Sequence, residues 1–240
     1  MQKENRNLRI SLIAYLMRLI SLFLNHSLGK IHLKVPSRPT SDKSYAFFLH
    51  GASRKTQNTD FWEPLLARIL DNCNPILMDR LSHGKSTLPH SRPKVSHQDH
   101  LDASTYSIQS ISKRFGIQEL ILIGRSYGGQ IALQLIQRLP KIISGLGLIA
   151  PSGGEKNRFL IRGWNKPLNI LWDVMDPVIP FAGHSIFVDE VPQLRMYTIG
   201  KSSFAKKFTT RENRKIPPTH TPELHEPELF DDFLRSLCKS

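Results

Sequence analysis

The segment from Glu119 to Leu139 constrains the fold of this chain more than any other. It opens with the apolar run Leu120–Ile123, continues through Gly-Arg-Ser-Tyr-Gly-Gly, and ends with apolar residues at helical spacing. This order predicts a buried strand, a sharp turn at Ser126 and a helix. Gly124 and Gly128 let the backbone pass close to itself, because a Cβ at either position would clash. The spacing is typical of a nucleophile elbow, which lifts a serine hydroxyl above a sheet edge and points helix N-terminal amides toward it.

Apolar runs of strand length alternate with helical patterns from residue 31 onward, and this alternation indicates the fold class. The predicted strands are Ile31–Val35 at one sheet edge, Tyr45–Leu49, Pro75–Met78, Leu120–Ile123, Gly145–Ala150, Leu168–Trp172 and, as the last one, Leu194–Ile199. The predicted helices outside the serine segment are Phe61–Leu70 with Asp60 as N-cap, Ser96–Phe115 and Glu226–Leu237. Continuous apolar strands joined by helices are typical of an α/β fold, with a mostly parallel central sheet and helices on both faces.

Residues 1–30 are predicted to form a unit apart from the α/β domain of residues 31–240. Leu8–Leu24 is almost wholly apolar, and its polar residues fall on one narrow stripe at about 100° per residue. We therefore predict an amphipathic helix with a wide apolar face. Three roles fit it: lying on a membrane surface with Arg18 at the headgroups, acting as a targeting or anchor segment, or packing on the domain.

A net charge of +13 indicates an anionic partner, such as a phospholipid surface, nucleic acid or an acidic substrate, or else a solvated basic surface. No motif of a nucleic-acid-binding fold is present, so nucleic acid is not expected. The segment 201–215 carries six basic residues against one acid, Glu212. It is interpreted either as a solvated loop or as a basic rim beside the turn at Ser126. Such a rim would meet an anionic membrane surface or an anionic acyl donor.

The two cysteines, Cys73 and Cys238, lie far apart and lack metal-ligand spacing. A disulfide framework or a zinc site is therefore not expected, and a reducing compartment fits the chain. The predicted location is cytoplasmic or peripheral to a membrane, with organellar targeting by the N-terminal segment left open.

A serine hydroxyl needs a base to take its proton, and the base needs a carboxylate to orient it. In this topology the chain order is serine, acid, histidine. Downstream of Ser126, the carboxylates beyond a strand end are Asp173 and Asp176. His220 lies in a proline-rich loop before the last helix and is the favoured base; the competing histidines are His184 and His225.

Four further segments resemble motifs of the alpha/beta-hydrolase superfamily, in its branch of lipases, esterases and small serine hydrolases. They are His50-Gly51 for HG, Asp79 to Ser86 for DxxGxGxS, Leu171 to Pro180 for LWGxxDPxxP, and His220-Thr221-Pro222 through Phe230 for GHxP…PExF. The departures are Ser82, Asp173 and Thr219, each in place of a glycine, and His225 in place of a glutamate. The resemblance covers the chain from about Ile31 to its end.

This resemblance implies a role for each matching residue. It places the acid at Asp176, with Asp173 as a nearby second carboxylate, and the oxyanion hole at the backbone amides of Ala52 and Tyr127. The residues implied to support the site are His50, Gly51, Gly124 and Gly128. No metal or organic cofactor is implied. A serine at the elbow, rather than an aspartate, argues against the epoxide hydrolases and dehalogenases of the same fold.

The predicted function is that of a carboxylesterase-like or lipase-like serine hydrolase, which cleaves an ester, thioester or lipid acyl bond through an acyl-enzyme. The expected partner is a small-molecule or lipid acyl substrate, and nothing indicates an oligomeric state. Two alternatives stay open: acyltransferase or lyase chemistry at the same site, and a non-catalytic binding protein of this fold. Only Ser152 to Pro167 separates two strands where many family members carry a helical cap, so no large cap domain is expected.

Overall fold

The computed structural model describes residues 18–54, 56–88, 94–154, 157–181, 187, 190–191, 193–200, 208–211 and 219–238. Its strands are β1 (Leu19–His26), β2 (Gly29–Pro36), β3 (Tyr45–Leu49), β4 (Asn74–Met78), β5 (Leu120–Arg125), β6 (Ile143–Ile149), β7 (Leu168–Asp173), β8 (Leu194–Ile199) and β9 (Phe208–Arg211). Within these residues they form one nine-stranded sheet in the order β1-β2-β4-β3-β5-β6-β7-β8-β9.

The sheet is parallel except at one end, where β1 pairs antiparallel with β2 and β2 antiparallel with β4. The central strands β4, β5 and β7 are buried along their whole length. A strand covered on both faces needs apolar residues on both, which explains the continuous apolar runs in the sequence. The predicted α/β class, a mostly parallel sheet with helices on both faces, is confirmed.

The helices are α1 (Leu66–Asn72), α2 (His97–Phe115), α3 (Tyr127–Arg138), α4 (Arg158–Ile161), α5 (Pro222–His225) and α6 (Pro227–Cys238), and a 3-10 helix (Thr59–Leu65) precedes α1. One side of the sheet packs against α2 and α3, with Ile108 and Leu135 in the core. The other side packs against the 3-10 helix, α1 and α6, with Trp62 and Phe230 in the core. Between β6 and β7 the described residues hold only α4, so this part of the chain carries no cap domain.

Helix caps follow the local sequence in one case and differ from the prediction in another. Ser96 begins α2 in a reciprocal capping box with Asp99, as the boundary predicted. The prediction of Asp60 as an N-cap is wrong, because Asn58 caps the 3-10 helix by accepting from the Asp60 amide at 2.8 Å. Pro64 has no amide hydrogen to bond the carbonyl one helical turn earlier, so a regular α-helix begins only at Leu66.

The helix predicted over Leu8–Leu24 is wrong from Leu19 onward. All eight residues of β1 pair with β2 across a tight turn at Ser27-Leu28, and Gly29, which begins β2, has a φ of +129°. Residues 19–30 therefore belong to the sheet, and the predicted boundary at residue 30 falls inside this hairpin. An apolar run is compatible with a half-buried strand as well as with a helix. Here the hydrogen-bonded pairing with β2 makes it a strand. Residues 1–17 lie outside the described residues.

Two further predictions about the sheet edges are wrong. The strand predicted as an edge at Ile31–Val35 lies in β2, between β1 and β4. Leu194–Ile199 is not the last strand, because β9 pairs with β8 in parallel.

Of the predicted basic loop 201–215, residues 208–211 form β9 and the others lie outside the described residues, so its contact with a membrane stays a prediction. No helix within the described ranges is both long enough and apolar enough to cross a membrane.

Asp79, just after β4, holds three segments together from a buried position. Its Oδ2 accepts from His32 Nδ1 at 2.7 Å and from the Lys85 amide at 2.8 Å, and its Oδ1 accepts from the Thr59 amide at 2.6 Å. Gly84 lies against this carboxylate with φ +51°, where a Cβ would come within 2.3 Å of Asp79 Oδ2. Burial disfavours the ionised carboxylate, but the hydrogen bonds outweigh this effect and hold the pKa of Asp79 below its ordinary value.

The variant Asp79→Asn should lower the free energy of unfolding near pH 7 by about 3 kcal/mol, because it removes the charge that three donors surround. The depressed pKa means that this stabilisation is present above the unfolded-state pKa of about 3.9 and is lost as the pH falls through the folded-state pKa. Urea unfolding from about pH 7 to about pH 3 should show the difference shrinking toward acid. The exposed Asp102, paired with Arg138 at 2.6 Å, gives a control in which Asp102→Asn costs at most about 1 kcal/mol. An Asp79→Asn deficit that does not change with pH would contradict the expectation.

Candidate active site

Ser126 occupies the turn between β5 and α3 in a conformation that few non-glycine residues adopt. Its φ is +51°, and the residue is buried. A Cβ at Gly124 would lie 2.5 Å from the Gly128 carbonyl oxygen, and a Cβ at Gly128 would lie 2.3 Å from the Leu49 carbonyl oxygen. Both glycines are therefore required by direct backbone contact, and the turn lies against the end of β3.

Side chains from three separate segments meet at this turn. Ser126 Oγ lies 3.0 Å from His220 Nε2, and His220 Nδ1 lies 2.7 Å from Asp176 Oδ2. Asp176 Oδ1 accepts from the amides of Val178 and Ile179 at 2.8 and 2.9 Å. Burial disfavours ionisation of Asp176, but the hydrogen bonds from His220 and the two amides prevail and keep its pKa below the ordinary value. With Nδ1–H donated to this carboxylate, Nε2 is left to accept the hydroxyl proton of Ser126.

Asp173, the second candidate acid, binds the backbone of the residue that precedes His220. Its Oδ2 accepts from the Thr219 amide and its Oδ1 from the Met175 amide, both at 2.8 Å, and the side chain is fully buried. The carboxylate at His220 Nδ1 is that of Asp176, while Asp173 fixes the loop that carries the histidine. His225 also supports this loop, with Nδ1 3.0 Å from the Thr221 carbonyl oxygen. His184 lies outside the described residues.

The loop after β3 brings two predicted supporting residues and the Ala52 amide to the turn. The Gly51 amide donates to Gln57 Oε1 at 3.0 Å, so it is already engaged. Within the described part of the chain, the amides of Ala52 and Tyr127 donate to no carbonyl or side chain. His50 Nε2 accepts from the Arg80 amide at 3.1 Å, so its proton is on Nδ1, which donates to the Gly51 carbonyl at 2.9 Å. Burial, with the nearby Arg80 cation, holds the pKa of His50 well below its ordinary value and keeps the ring neutral.

An ion pair that the sequence did not identify links the serine turn to the histidine loop. Arg125 Nε donates to Glu223 Oε1 at 2.7 Å, and Arg125 Nη2 donates to the His220 carbonyl at 2.7 Å. Both side chains are buried, and the guanidinium packs 4.8 Å from the centre of the Phe61 ring. Arg125 therefore forms its ion pair inside the domain and does not contribute to a basic surface. Two sequence features could have indicated this ion pair: the charge of Arg125 in an otherwise apolar strand, and the acid Glu223 three residues after His220.

Among the described residues, no group of three or more His, Cys, Asp and Glu side chains is arranged to hold a metal ion. Cys73 and Cys238 are buried free thiols, with no disulfide between them.

A mostly parallel sheet with a serine turn after a central strand, and a histidine supplied from just before the last two helices, defines the architecture of an alpha/beta hydrolase. The family model for the alpha/beta hydrolase fold matches residues 47–180, and the chain belongs to that family. A search of curated protein sequences finds no match.

Solved structures share the fold at low sequence identity. A predicted CIB-like hydrolase from Thermoplasma acidophilum is 18% identical with a TM-score of 0.70, covering 91% of this chain and 99% of its own. The 2-hydroxy-6-oxo-6-phenylhexa-2,4-dienoate hydrolase of Rhodococcus sp. strain RHA1 is 13% identical with a TM-score of 0.71, covering 91% and 98%. Naproxen esterase from Bacillus subtilis is 13% identical with a TM-score of 0.65, covering 90% of each chain. At such identities the likeness concerns the fold.

The variant Glu223→Ala should lower the free energy of unfolding by about 3 kcal/mol or more, because it leaves the Arg125 cation buried without its carboxylate. Chemical denaturation at neutral pH measures this loss. Glu228→Ala is the matched control, since Glu228 is exposed and pairs with Arg68 at 3.1 Å; it should cost no more than about 1 kcal/mol. Equal losses in the two variants would contradict the structural role assigned to the buried pair.

Proposed function

We propose that the chain is a serine hydrolase that cleaves an acyl bond, of ester, thioester or lipid type, through a covalent acyl-enzyme. The observation that carries this proposal is the unbroken line of hydrogen-bonding atoms from Ser126 Oγ through both nitrogens of His220 to Asp176 Oδ2. Membership of the alpha/beta hydrolase fold family supports hydrolytic chemistry in general. The finer assignment rests on the chemistry of these three side chains.

In the proposed acylation step, Ser126 Oγ attacks the substrate carbonyl carbon while His220 Nε2 takes the hydroxyl proton. The imidazolium that forms keeps its Nδ1–H toward Asp176, whose carboxylate holds the tautomer and stabilises the positive charge. The amides of Ala52 and Tyr127 donate hydrogen bonds to the carbonyl oxygen and stabilise its negative charge. Collapse of this intermediate expels the leaving group, which takes the proton from His220.

Deacylation repeats the sequence with water. His220 Nε2 removes a proton from the water as it attacks the acyl-enzyme, and the proton then passes to Ser126 Oγ as the carboxylic acid leaves. No step of this mechanism requires a metal ion or an organic cofactor. The proton returns to its starting position, so the enzyme is ready for another cycle.

The variant Ser126→Ala should abolish covalent labelling by a fluorophosphonate probe and reduce ester turnover by at least about a thousandfold, because the nucleophile is lost. Its thermal melting should stay close to that of the wild type. Ser152→Ala, which removes another hydroxyl near the turn, should retain labelling. Wild-type protein that is not labelled would favour a non-catalytic binding role. Product analysis then separates the remaining chemistry: free acid indicates hydrolysis, and an acylated acceptor indicates acyl transfer.

The variant Asp176→Asn should lower kcat/KM for an ester by about a thousandfold or more, because the imidazole loses the carboxylate that sets its tautomer. Asp173→Asn is the comparison. It removes the charge that binds the Thr219 amide, so it should lower the melting temperature and affect kcat/KM less. An equal fall in kcat/KM at both positions would mean that Asp176 does not have the distinct role proposed.

A further inference from the structure

Arg80, directly after Asp79 at the end of β4, lies behind the candidate oxyanion hole. The side chain is 1% exposed. Its Nη2 donates to the Gly51 carbonyl, and its backbone amide donates to His50 Nε2 at 3.1 Å. The centre of the guanidinium lies 4.8 Å from the centre of the Tyr127 ring. One cation thus contacts the residue before Ala52 and the side chain of Tyr127.

Within the described part of the chain, no carboxylate pairs with this guanidinium. Its other neighbours are the neutral rings of two histidines, with His100 Nε2 3.4 Å from Nη1 and His83 Nε2 3.1 Å from Nη2. Nε has no hydrogen-bond partner. Burial, with Arg54 nearby, lowers the pKa of Arg80 to about 10, which leaves it a cation at neutral pH. A buried cation without a counter-ion costs folding free energy, so stability alone does not account for it.

The bond to the Gly51 carbonyl acts on the peptide unit that contains the Ala52 amide. The described chain has no cis peptide bond, and in a trans peptide the C=O and the N–H point in opposite directions. Arg80 Nη2 and His50 Nδ1 both donate to the Gly51 oxygen and hold it on their side. The Ala52 N–H must then point to the other side of the loop. Donation to the carbonyl oxygen also polarises the peptide and strengthens its N–H as a donor.

We propose that Arg80 is a positioning residue for the oxyanion hole, which orients and polarises the Gly51–Ala52 peptide and places a fixed positive charge behind the Ala52 amide. The inference rests on the proposed hydrolase mechanism. The charge is useful only when the substrate oxygen becomes negative, so it stabilises the transition state more than the bound substrate. It acts through the peptide and does not touch the substrate.

The test is steady-state kinetics of Arg80→Gln and Arg80→Met on an ester that the wild type hydrolyses. We expect kcat to fall by about tenfold to a hundredfold, less than the loss of a whole oxyanion donor, while KM changes by less than about threefold. Binding of a boronic acid, which forms a tetrahedral adduct on the serine, should weaken by a factor similar to that of kcat/KM. Arg54→Gln removes the same charge from an exposed neighbour without touching the Gly51 carbonyl, and its kcat should stay within about twofold of wild type.

Thermal melting separates positioning from a structural role. Arg80→Met removes a buried charge that has no counter-ion, so its melting temperature should equal or exceed that of the wild type. A clear fall in melting temperature that accounts for the lost activity would overturn the inference, and so would unchanged kcat in both Arg80 variants or an equal loss in Arg54→Gln. These outcomes require a wild type whose turnover depends on Ser126. Turnover that persists in Ser126→Ala would overturn the proposed mechanism itself, and the inference with it.

Discussion

The structure depends on the close backbone approach at the turn around Ser126. Gly124 and Gly128 contact carbonyl oxygens directly, at distances that leave no room for a Cβ. These contacts bring the end of β3, the serine and the first amide of α3 into one small volume. Because the loop after β3 carries Ala52, the same contacts decide whether the amides of Ala52 and Tyr127 can serve a single oxygen atom. The approach of these two segments is therefore set by backbone packing.

Three buried charges at or just beyond the ends of β4 and β5 are each balanced differently. Asp79 is surrounded by three donors and joins β2, the 3-10 helix and the loop after β4. Arg125 has a carboxylate partner and joins the serine strand to the histidine loop. Arg80 has a carbonyl oxygen and aromatic rings in place of a carboxylate. The first two stabilise the fold at points where segments meet, whereas the third lies behind the peptide whose N–H is proposed to bind the oxyanion.

The sequence predicted the interior of the sheet better than its edges. Strands covered on both faces need continuous apolar runs, and those runs were identified at β3 to β8. At the edge, β1 has Ile20 and Phe23 exposed, with Leu22 and Leu24 packed on the core, so its apolar content does not identify the buried face. Helix and strand periodicities both fit such a run, and the pairing with β2 determines that it is a strand. β9 was missed because the sequence between Ile199 and His220 is dominated by its basic residues.

Turn chemistry is local, so the sequence alone determined the glycines around Ser126, the helix that follows and the acid and histidine candidates beyond later strands. Choosing among those candidates required contacts between distant segments. Ser126 and His220 are 94 positions apart, and Arg125 and Glu223 are 98 apart. Only the tertiary structure decided that Asp176 faces His220 while Asp173 binds the backbone before it, and that Arg80 contacts the Gly51 carbonyl. Hydrogen bonds and burial depend on which atoms lie within about 3 Å, and that distance is set by the packing of the whole sheet.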